Sequence, residues 1–294
     1  MAVQALYDVA APAKLNLFLH VIGRRPDGYH LLQSAFVLID WCDQLHFERR
    51  TDGHLARYDL GAELPADDLC LRAARALQAE SGTGLGADIS INKQIPWGAG
   101  MGGGSSDAAT TLLALNRLWG LGWPLSRLQT LGLRLSADVP FFLGGRNACV
   151  EGVGERLTEL PIPPHWLAVI KPAQSIETRA IFESPNMVRD TQPVILEGFS
   201  GDVSASVKQV MSGFGRNDLQ PAAQSQCAEV ARAAAVLEQQ FGNSRMTGSG
   251  SAVFARAGDD VQPLAAMPER LEAGWLGRMC RSLAHHPLAG WAQD

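Results

Sequence analysis

The sequence predicts an α+β protein in two parts, and three observations support that prediction. The chain has 294 residues, a length at which one hydrophobic core usually gives way to two. Strand-like and helical patterns are mixed along it instead of alternating regularly. A proline-dense segment, Glu-Leu-Pro-Ile-Pro-Pro at 159–164, is typical of a linker. We therefore expect an N-terminal domain over residues 1–160 and a C-terminal domain over residues 161–294.

The first elements are predicted to be two strands and a helix. Apolar runs at 15–22 and 31–39 flank a turn-like Arg-Arg-Pro-Asp-Gly segment at 24–28, which is the pattern of strands joined by a turn. Asp67 and Asp68 then precede an apolar stripe at helical spacing. Acidic residues favour the start of a helix, so a helix is expected there.

Further helices are predicted on both sides of residue 120. A helical stripe that follows a glycine-rich segment is ended by Gly120,. The next helix is expected from Ser126 to Leu135, with Pro140 closing it and favouring an extended Val139,.

The second half of the chain is predicted to contain strands, a helix and a second glycine-rich turn. Residues 167–170 have the composition of a strand, and residues 222–241 carry apolar side chains at helical spacing,. The turn Thr-Gly-Ser-Gly-Ser at 247–251 leads directly into an apolar strand at 252–255,.

Composition excludes several classes of protein. Charged residues are 19% and hydrophobic residues 46%, as in a compact globular enzyme. The formal net charge of −5 argues against a general nucleic-acid partner. No apolar run is long enough to span a membrane and no secretory leader opens the chain, so no membrane partner is expected. The five cysteines are scattered and odd in number, which indicates reduced core residues in a cytoplasmic protein. They are Cys42, Cys70, Cys149, Cys227 and Cys280.

The most informative segment is a glycine-rich loop at 96–106. Glycine allows positive φ and close approach of the backbone to a ligand. Successive N–H groups before a helix form an anion-binding concavity, to which the helix adds its positive end. We interpret the loop as a phosphate cradle. Its residues are Pro96, Trp97, Gly98, Ala99, Gly100, Met101, Gly102, Gly103, Gly104, Ser105 and Ser106.

Other interpretations of this loop are less favoured. Gly98, Gly100 and Gly103 satisfy the dinucleotide fingerprint, but no acidic residue stands about 20 positions further on, where the ribose would need one,. No lysine follows the glycines as the P-loop pattern requires,. A purely structural glycine turn stays open, although it leaves the two serines at the helix entrance without a role beyond capping.

Two charged residues are candidates for catalysis. Lys14 is the single charge in the apolar stretch 9–19, and Asn16 lies on the same face of that predicted strand. Asp138 stands at a predicted helix end among apolar neighbours. An aspartate near a lysine stays ionised at neutral pH and can accept a hydroxyl proton. A solvent-facing lysine and a turn-forming aspartate remain open alternatives.

Taken together, these motifs resemble those of the GHMP kinases. The resemblance rests on three ordered motifs: Pro12-x-Lys14-x-Asn16, the loop at 96–106 and the turn at 247–251. It implies two α+β domains, the first like the second domain of ribosomal protein S5 and the second ferredoxin-like, with the active site in the cleft between them. The implied reaction is ATP-dependent phosphorylation of an alcohol.

The segments 23–32, 137–142 and 152–155 resemble one branch of that family, which acts in non-mevalonate isoprenoid precursor biosynthesis. The implied substrate is a small molecule, a methylerythritol linked to cytidine diphosphate and phosphorylated at its 2-hydroxyl. The implied cofactors are ATP and Mg²⁺, the ion being held mainly through the nucleotide phosphates.

The resemblance also implies roles for individual residues. Lys14 and Asp138 are the catalytic pair, and the loop at 96–106 binds the ATP phosphates. The substrate contacts implied are Asn16, Tyr29, His30, Thr178 and Phe182. In that pattern the cytosine stacks on the tyrosine, bonds to the histidine and meets the phenylalanine on its other face. Without the resemblance, Tyr29 and His30 are ordinary loop residues and Phe182 a core residue.

Alternatives to this function remain at the level of sequence. A related kinase of homoserine or mevalonate type would have no base to stack, and a non-catalytic nucleotide-binding module would not need both Lys14 and Asp138. No dedicated metal site is predicted, because no acidic residues cluster, and His285 and His286 are expected at the surface. The chain is expected to be a monomer or a homodimer.

Overall fold

The structure, a computed structural model, describes residues 3–194 and 203–294. Within them, ten strands and eight helices are intermingled along the chain. The strands are β1 Ala5–Arg24, β2 His30–Arg50, β3 Leu55–Asp59, β4 Gly86–Asn92, β5 Ala148–Gly152, β6 Arg156–Glu159, β7 Trp166–Lys171, β8 Arg245–Met246, β9 Val253–Gly258 and β10 Leu276–Leu283. The helices are α1 Leu69–Ser81, α2 Gly103–Leu118, α3 Leu125–Leu133, α4 Val139–Gly144, α5 Thr178–Glu183, α6 Val203–Met211, α7 Gln220–Gln226 and α8 Ala228–Phe241. The predicted α+β class is confirmed.

One sheet connects the two halves of the chain. Its strand order is β3-β4-β2-β10-β7-β9-β8, with β1 and β5 also paired to β2 and β6 paired to β5. Only the β3–β4 pair is parallel among the described strands. Because β10 pairs with β2 through Ser282 and Leu283 and with β7 along Leu276–Arg281, strands from both halves share this sheet. The division at residue 160 stays a prediction.

The long antiparallel pair β1–β2 forms the centre of the fold. Its register shifts at four places, between Leu6 and Val9, Pro12 and Ala13, Asn16 and Phe18, and Val21 and Gly23. Such bulges bend a strand and redirect side chains. As a result β1 reaches the hydrophobic cores of both halves while it presents Lys14 and Asn16 next to each other at a cavity.

Apolar side chains form three buried clusters around this pair. One lies beneath α1 to α4, one between the two halves, and one beneath α7 and α8. Helix α2 is buried on nearly all faces, which fits a composition of mostly small or apolar residues. The helix after Asp67 and Asp68 is confirmed as α1, where the Asp68 carboxylate caps the Leu71 N–H at 3.1 Å.

Several boundaries differ from the predictions. The helix expected over 126–135 is α3, and Pro140 does not close it but lies in the first turn of a new helix, α4. Proline is tolerated there because the first N–H groups of a helix have no internal partner, so Val139 is helical and not extended. The helix expected over 222–241 is divided into α7 and α8 at Cys227, which is extended.

Two further expectations concern the surface and the cysteines. His286 is buried, contrary to the prediction, and burial lowers the pKa of its imidazole to about 4. His285 is exposed beside Arg146. All five cysteines are free, four of them buried and Cys42 partly so. No helix in the described part of the chain combines the length and the apolarity that crossing a membrane requires.

Candidate active site

Residues from distant parts of the chain line one cavity of about 970 Å³. It opens where β1, the turn before β2, the glycine loop, α4 and α5 meet. The predicted site residues that line it are Lys14, Asn16, Tyr29, His30, Gly100, Gly102, Asp138, Thr178 and Phe182. The structure therefore brings together both predicted catalytic residues, all five predicted substrate contacts and two residues of the glycine loop.

Lys14 and Asp138 form a pair at the base of this cavity. The Lys14 Nζ lies 3.6 Å from the Asp138 Oδ2 and donates a hydrogen bond to the Asn16 Oδ1 at 2.6 Å. It also lies 4.4 Å from the centre of the Phe36 ring. Burial lowers the pKa of Lys14, and the charge of Asp138 opposes that shift. The pair places a carboxylate and an ammonium donor beside the same point in the cavity.

Asp138 is positioned by the start of helix α4. Sequence reasoning placed it at the end of a helix, where an acid gains nothing; the structure places it at the N-cap of α4. Its side chain makes no capping hydrogen bond, so the carboxylate oxygens remain available to the cavity.

The glycine loop has the backbone conformation that its composition predicts. Gly98, Gly100 and Gly102 have φ of 62°, 71° and 71°, a region that L-residues with side chains rarely adopt. Gly102 is the N-cap of α2, and the last four predicted loop residues, 103–106, form the first turn of that helix. The positive end of a buried helix therefore faces the loop.

Both halves of the chain hold the loop in place. The Lys14 N–H donates to the Met101 carbonyl at 3.0 Å. From the second glycine-rich turn, Ser251 donates to Gly98 and Ala252 to Ala99, at 3.1 and 3.2 Å. The third predicted motif thus supports the loop directly.

The loop residues that do not line the cavity have other surroundings. The side chains of Ala99 and Met101 are buried in the core, so they offer a ligand only their backbone. Trp97 is 65% exposed, and Ser105 Oγ lies 3.1 Å from Ser136 Oγ. Ser106 is fully buried.

A buried charge cluster that the sequence analysis missed lies behind the loop. Lys93 donates to Asp43 and, at 2.6 Å, to Asp107 in the second turn of α2. The other oxygen of Asp43 accepts the N–H groups of Gln94 and Ile95 at 2.6 and 2.8 Å. Burial raises the pKa of Asp107 and Lys93 opposes that rise. Nothing in the sequence near Asp43 signals this role, because its partners are 50 residues or more away.

At the opposite end of the cavity lie the aromatic residues. The His30 ring stacks on Phe182 with centroids 4.9 Å apart and an interplanar angle of 24°, and Tyr29 is 65% exposed. Burial, together with the charges of Arg24 and Arg189, lowers the pKa of His30. Its Nε2 atom is buried without a hydrogen-bond partner among the described residues. A neutral imidazole with an unused nitrogen therefore faces this end of the site.

Polar groups join the two ends of the cavity. Thr178 Oγ1 and Ser249 Oγ lie 2.8 Å apart. Thr247 Oγ1 accepts the Asn16 N–H at 2.9 Å and lies 3.2 Å from Asn16 Oδ1. Ser249 was not among the predicted contacts, although its place in the third motif pointed toward the site.

Substituting alanine for Gly100 tests the packing of the loop. A Cβ there would overlap the Thr247 carbonyl oxygen and lie 2.9 Å from the Gly250 nitrogen, at a positive φ. We expect Gly100→Ala to lower the free energy of unfolding by about 2–4 kcal/mol, from strain and overlap together, as measured by denaturant unfolding. Gly104→Ala is the control, because a Cβ there meets only Leu69 Cδ1, at 3.6 Å. Equal stability of the two variants would contradict this account of the loop.

Models of the GHMP kinase family match both halves of the chain. The GHMP kinases N terminal domain matches residues 68–146, and the GHMP kinases C terminal domain matches residues 203–271. The first covers α2 and Asp138, and the second covers the turn at 247–251.

Individual proteins match over nearly the whole chain. A 4-diphosphocytidyl-2-C-methyl-D-erythritol kinase of Methylibium petroleiphilum is 62% identical over 99% of this chain and 100% of its own length. One of Variovorax paradoxus is 56% identical over 98% and 99%. A crystal structure of 4-(cytidine 5'-diphospho)-2C-methyl-D-erythritol kinase is 34% identical, with a TM-score of 0.71 over 84% of this chain and 89% of that one. Homoserine kinase from Cytophaga hutchinsonii shares the fold at 16% identity and a TM-score of 0.65.

The chain therefore belongs to the GHMP kinases and, within them, to the 4-diphosphocytidyl-2-C-methyl-D-erythritol kinase family. The expected fold and family are confirmed.

Proposed function

We propose that this chain transfers the γ-phosphoryl group of ATP to the 2-hydroxyl of 4-diphosphocytidyl-2-C-methyl-D-erythritol, giving the 2-phosphate and ADP for non-mevalonate isoprenoid precursor biosynthesis. The observation that carries the proposal is the Lys14–Asp138 pair in a cavity that also contains the glycine loop and the His30–Phe182 aromatic end. Relatives of the same name at 62% and 56% identity support it.

In this proposal Asp138 receives the proton of the attacking hydroxyl. Its carboxylate is not used for capping and lies next to the Lys14 ammonium, which stabilises negative charge on the oxygen as the proton leaves. Asn16 holds that ammonium by accepting its hydrogen bond. Phosphoryl transfer mainly requires positioning of the reacting groups and stabilisation of charge. These three side chains provide both.

The glycine loop and the start of α2 bind the nucleotide phosphates in this proposal. Backbone N–H groups at a helix N-terminus are suited to that charge. The described residues contain no group of three His, Cys, Asp or Glu side chains that could hold a metal. This donor set fits Mg²⁺ that arrives with ATP, held mainly through phosphate oxygens and water. The ion would offset charge on the phosphates, while the loop keeps them oriented.

The aromatic end binds the cytosine in this proposal. Tyr29 and Phe182 provide faces for stacking, worth roughly 1–3 kcal/mol per base. His30, whose pKa is lowered by burial and by two neighbouring arginines, is neutral at pH 7 and forms a hydrogen bond to the edge of the base. Thr178, held at 2.8 Å from Ser249, adds a polar contact to the substrate.

The experiment that tests the proposal is an assay of ADP release with ATP, Mg²⁺ and one of three alcohols: 4-diphosphocytidyl-2-C-methyl-D-erythritol, homoserine or mevalonate. We expect ADP only with the cytidine substrate. ADP with homoserine or mevalonate alone would keep the kinase activity and overturn the cytosine site. Measurable ATP binding without turnover of any alcohol would indicate a nucleotide-binding module instead.

Tyr29→Ala is expected to raise the KM for the cytidine substrate about tenfold or more, because a stacking face is lost, with kcat little changed. Steady-state kinetics separate the two constants. Tyr58→Ala is the matched control, since Tyr58 is similarly exposed at 50% but does not line the cavity. A collapse of kcat at constant KM would contradict a role in base binding.

We further propose that the enzyme acts in the cytoplasm as a monomer or homodimer, without nucleic-acid or membrane partners. The free cysteines support a reducing compartment.

A further inference from the structure

The charged side chains that line the cavity do not all take part in ion pairs. Three cations and three carboxylates line it: Lys14, Arg24, Arg179, Asp27, Asp138 and Glu183. Lys14 is paired with Asp138 at 3.6 Å and Arg179 with Glu183 at 2.7 Å, whereas Asp27 is paired at 2.7 Å with Arg25. Among the described residues, this leaves Arg24 as the cavity cation without a carboxylate within ion-pair distance.

Arg24 is held beside the aromatic end of the cavity. Its Nε donates to the Gly28 carbonyl at 3.0 Å, which directs the guanidinium along the turn that carries Tyr29 and His30. Its charge contributes to the lowered pKa of His30, so the two groups are electrostatically close. The Nη groups of Arg24 have no partner among the described residues, and a guanidinium offers such donors in a planar fork that matches a phosphate.

Nearby arginines do not have the same freedom. Arg189 donates to the carbonyls of Phe182 and Ser184, at 3.2 and 3.1 Å. Arg179 is joined to Glu183 by an i,i+4 ion pair. Of the described charges around the aromatic end, Arg24 is thus the one whose Nη groups can bind an anionic group of a ligand without first losing a partner.

We propose that Arg24 is a specificity-determining residue that binds the diphosphate of the nucleoside-diphosphate substrate. This inference rests on the proposed function, because it places the base at Tyr29 and His30 and the reacting hydroxyl at Asp138. Both ends of the substrate then lie in one cavity, with its diphosphate between them, and Arg24 is the free cation next to the base. Through this contact the enzyme favours a nucleoside diphosphate over the nucleoside alone.

The test compares the binding of cytidine and of CDP by isothermal titration calorimetry, with ADP and Mg²⁺ present at saturation so that CDP does not bind at the glycine loop. We expect the wild-type enzyme to bind CDP more tightly than cytidine. Arg24→Gln should weaken CDP binding about tenfold, near the lower end for a charge-assisted hydrogen bond, and leave cytidine binding unchanged. Arg24→Lys should restore part of the difference, because it keeps the charge but not the fork.

A matched control is the double variant Arg232→Gln with Glu272→Gln, which removes an exposed ion pair away from the cavity without altering net charge. It should retain the wild-type preference for CDP. Raising the salt concentration from about 0.05 to about 0.5 M should reduce that preference in the wild type and have little effect in Arg24→Gln.

The possible results distinguish a failure of the proposed function from a failure of the inference about Arg24. If the wild type binds neither cytidine nor CDP, the cytosine site and the proposed function are wrong. If it binds both and Arg24→Gln keeps the full preference for CDP, the inference about Arg24 is wrong while the proposed function stands. Equal loss of cytidine and CDP binding in Arg24→Gln would also overturn the inference, since it would show a disturbed base site and not a lost diphosphate contact.

Discussion

Replacing Asp138 by asparagine is expected to lower kcat by about 10²–10⁴, the usual contribution of a positioned general base. Asparagine keeps the shape of the side chain but cannot take the proton of the substrate hydroxyl. The KM for the cytidine substrate should change little, because the proposed base site at Tyr29 and His30 lies at the other end of the cavity. Steady-state ADP release over a range of substrate concentrations measures both constants.

Glu183→Gln is the control for this experiment. Glu183 also lines the cavity, but it is paired with Arg179 in an exposed i,i+4 contact, so its loss should leave kcat within a few-fold of the wild type. An Asp138→Asn enzyme with wild-type turnover would remove Asp138 from the mechanism. In the proposed mechanism Lys14 and Asp138 act on the same oxygen, so the double variant Lys14→Met with Asp138→Asn should be hardly slower than the slower single variant.

Replacing Lys93 by methionine is expected to lower the free energy of unfolding by about 3–5 kcal/mol, since it leaves buried carboxylates without their counter-charge. The side chains of Asp43 and Asp107 are 0% and 2% exposed. The cluster joins β2, the end of β4 and α2 behind the glycine loop, so the loop should also hold nucleotide less well. Urea unfolding gives the stability, and ADP titration gives the affinity.

The pH dependence of this loss distinguishes charge from packing. Burial already raises the pKa of Asp107 in the wild type, against the effect of Lys93, and removal of Lys93 raises it further. A folded-state pKa above the unfolded value means that the folded state holds more protons, so stability falls as pH rises through that range. The penalty of Lys93→Met should therefore be larger at pH 8 than at pH 5.

Adding Asp107→Asn to Lys93→Met removes one of the uncompensated charges and should recover part of the loss at pH 8. A penalty that is independent of pH, with no recovery in the double variant, would show that Lys93 contributes packing and not charge.

Local signals explain why much of the site could be predicted. The glycine-rich composition of the loop predicts a backbone with positive φ angles, and Gly98, Gly100 and Gly102 adopt them. Lys14 stood out as a lone charge in an apolar strand, and the structure places it buried beside Asp138. Tyr29, His30 and Phe182 carried no such local signal, and only the resemblance to a family selected them.

The errors arose where a local pattern has two structural solutions. Pro140 ends a helix in one context and begins one in another, and here Val139 and Phe141 pack into the core as the first turn of α4. That error also placed Asp138 at the wrong end of a helix. His286 was expected at the surface because it lies near the C-terminus, yet the chain there returns to the N-terminal core, where Leu288 is buried.

The sequence by itself determined the elements whose cause is local: the strands of β1 and β2, the helix capped by Asp68, the backbone conformation of the glycine loop and, through its motifs, the family. The tertiary structure determined which charged side chains form ion pairs. Asp43 reaches Lys93 across 50 residues, and Asp27 pairs with Arg25, whereas Arg24 has no carboxylate partner in the described part of the chain. Which ions pair depends on distances set by the folded chain, and Coulomb energy in a buried site changes steeply with such distances. Spacing along the sequence therefore cannot predict the pairing.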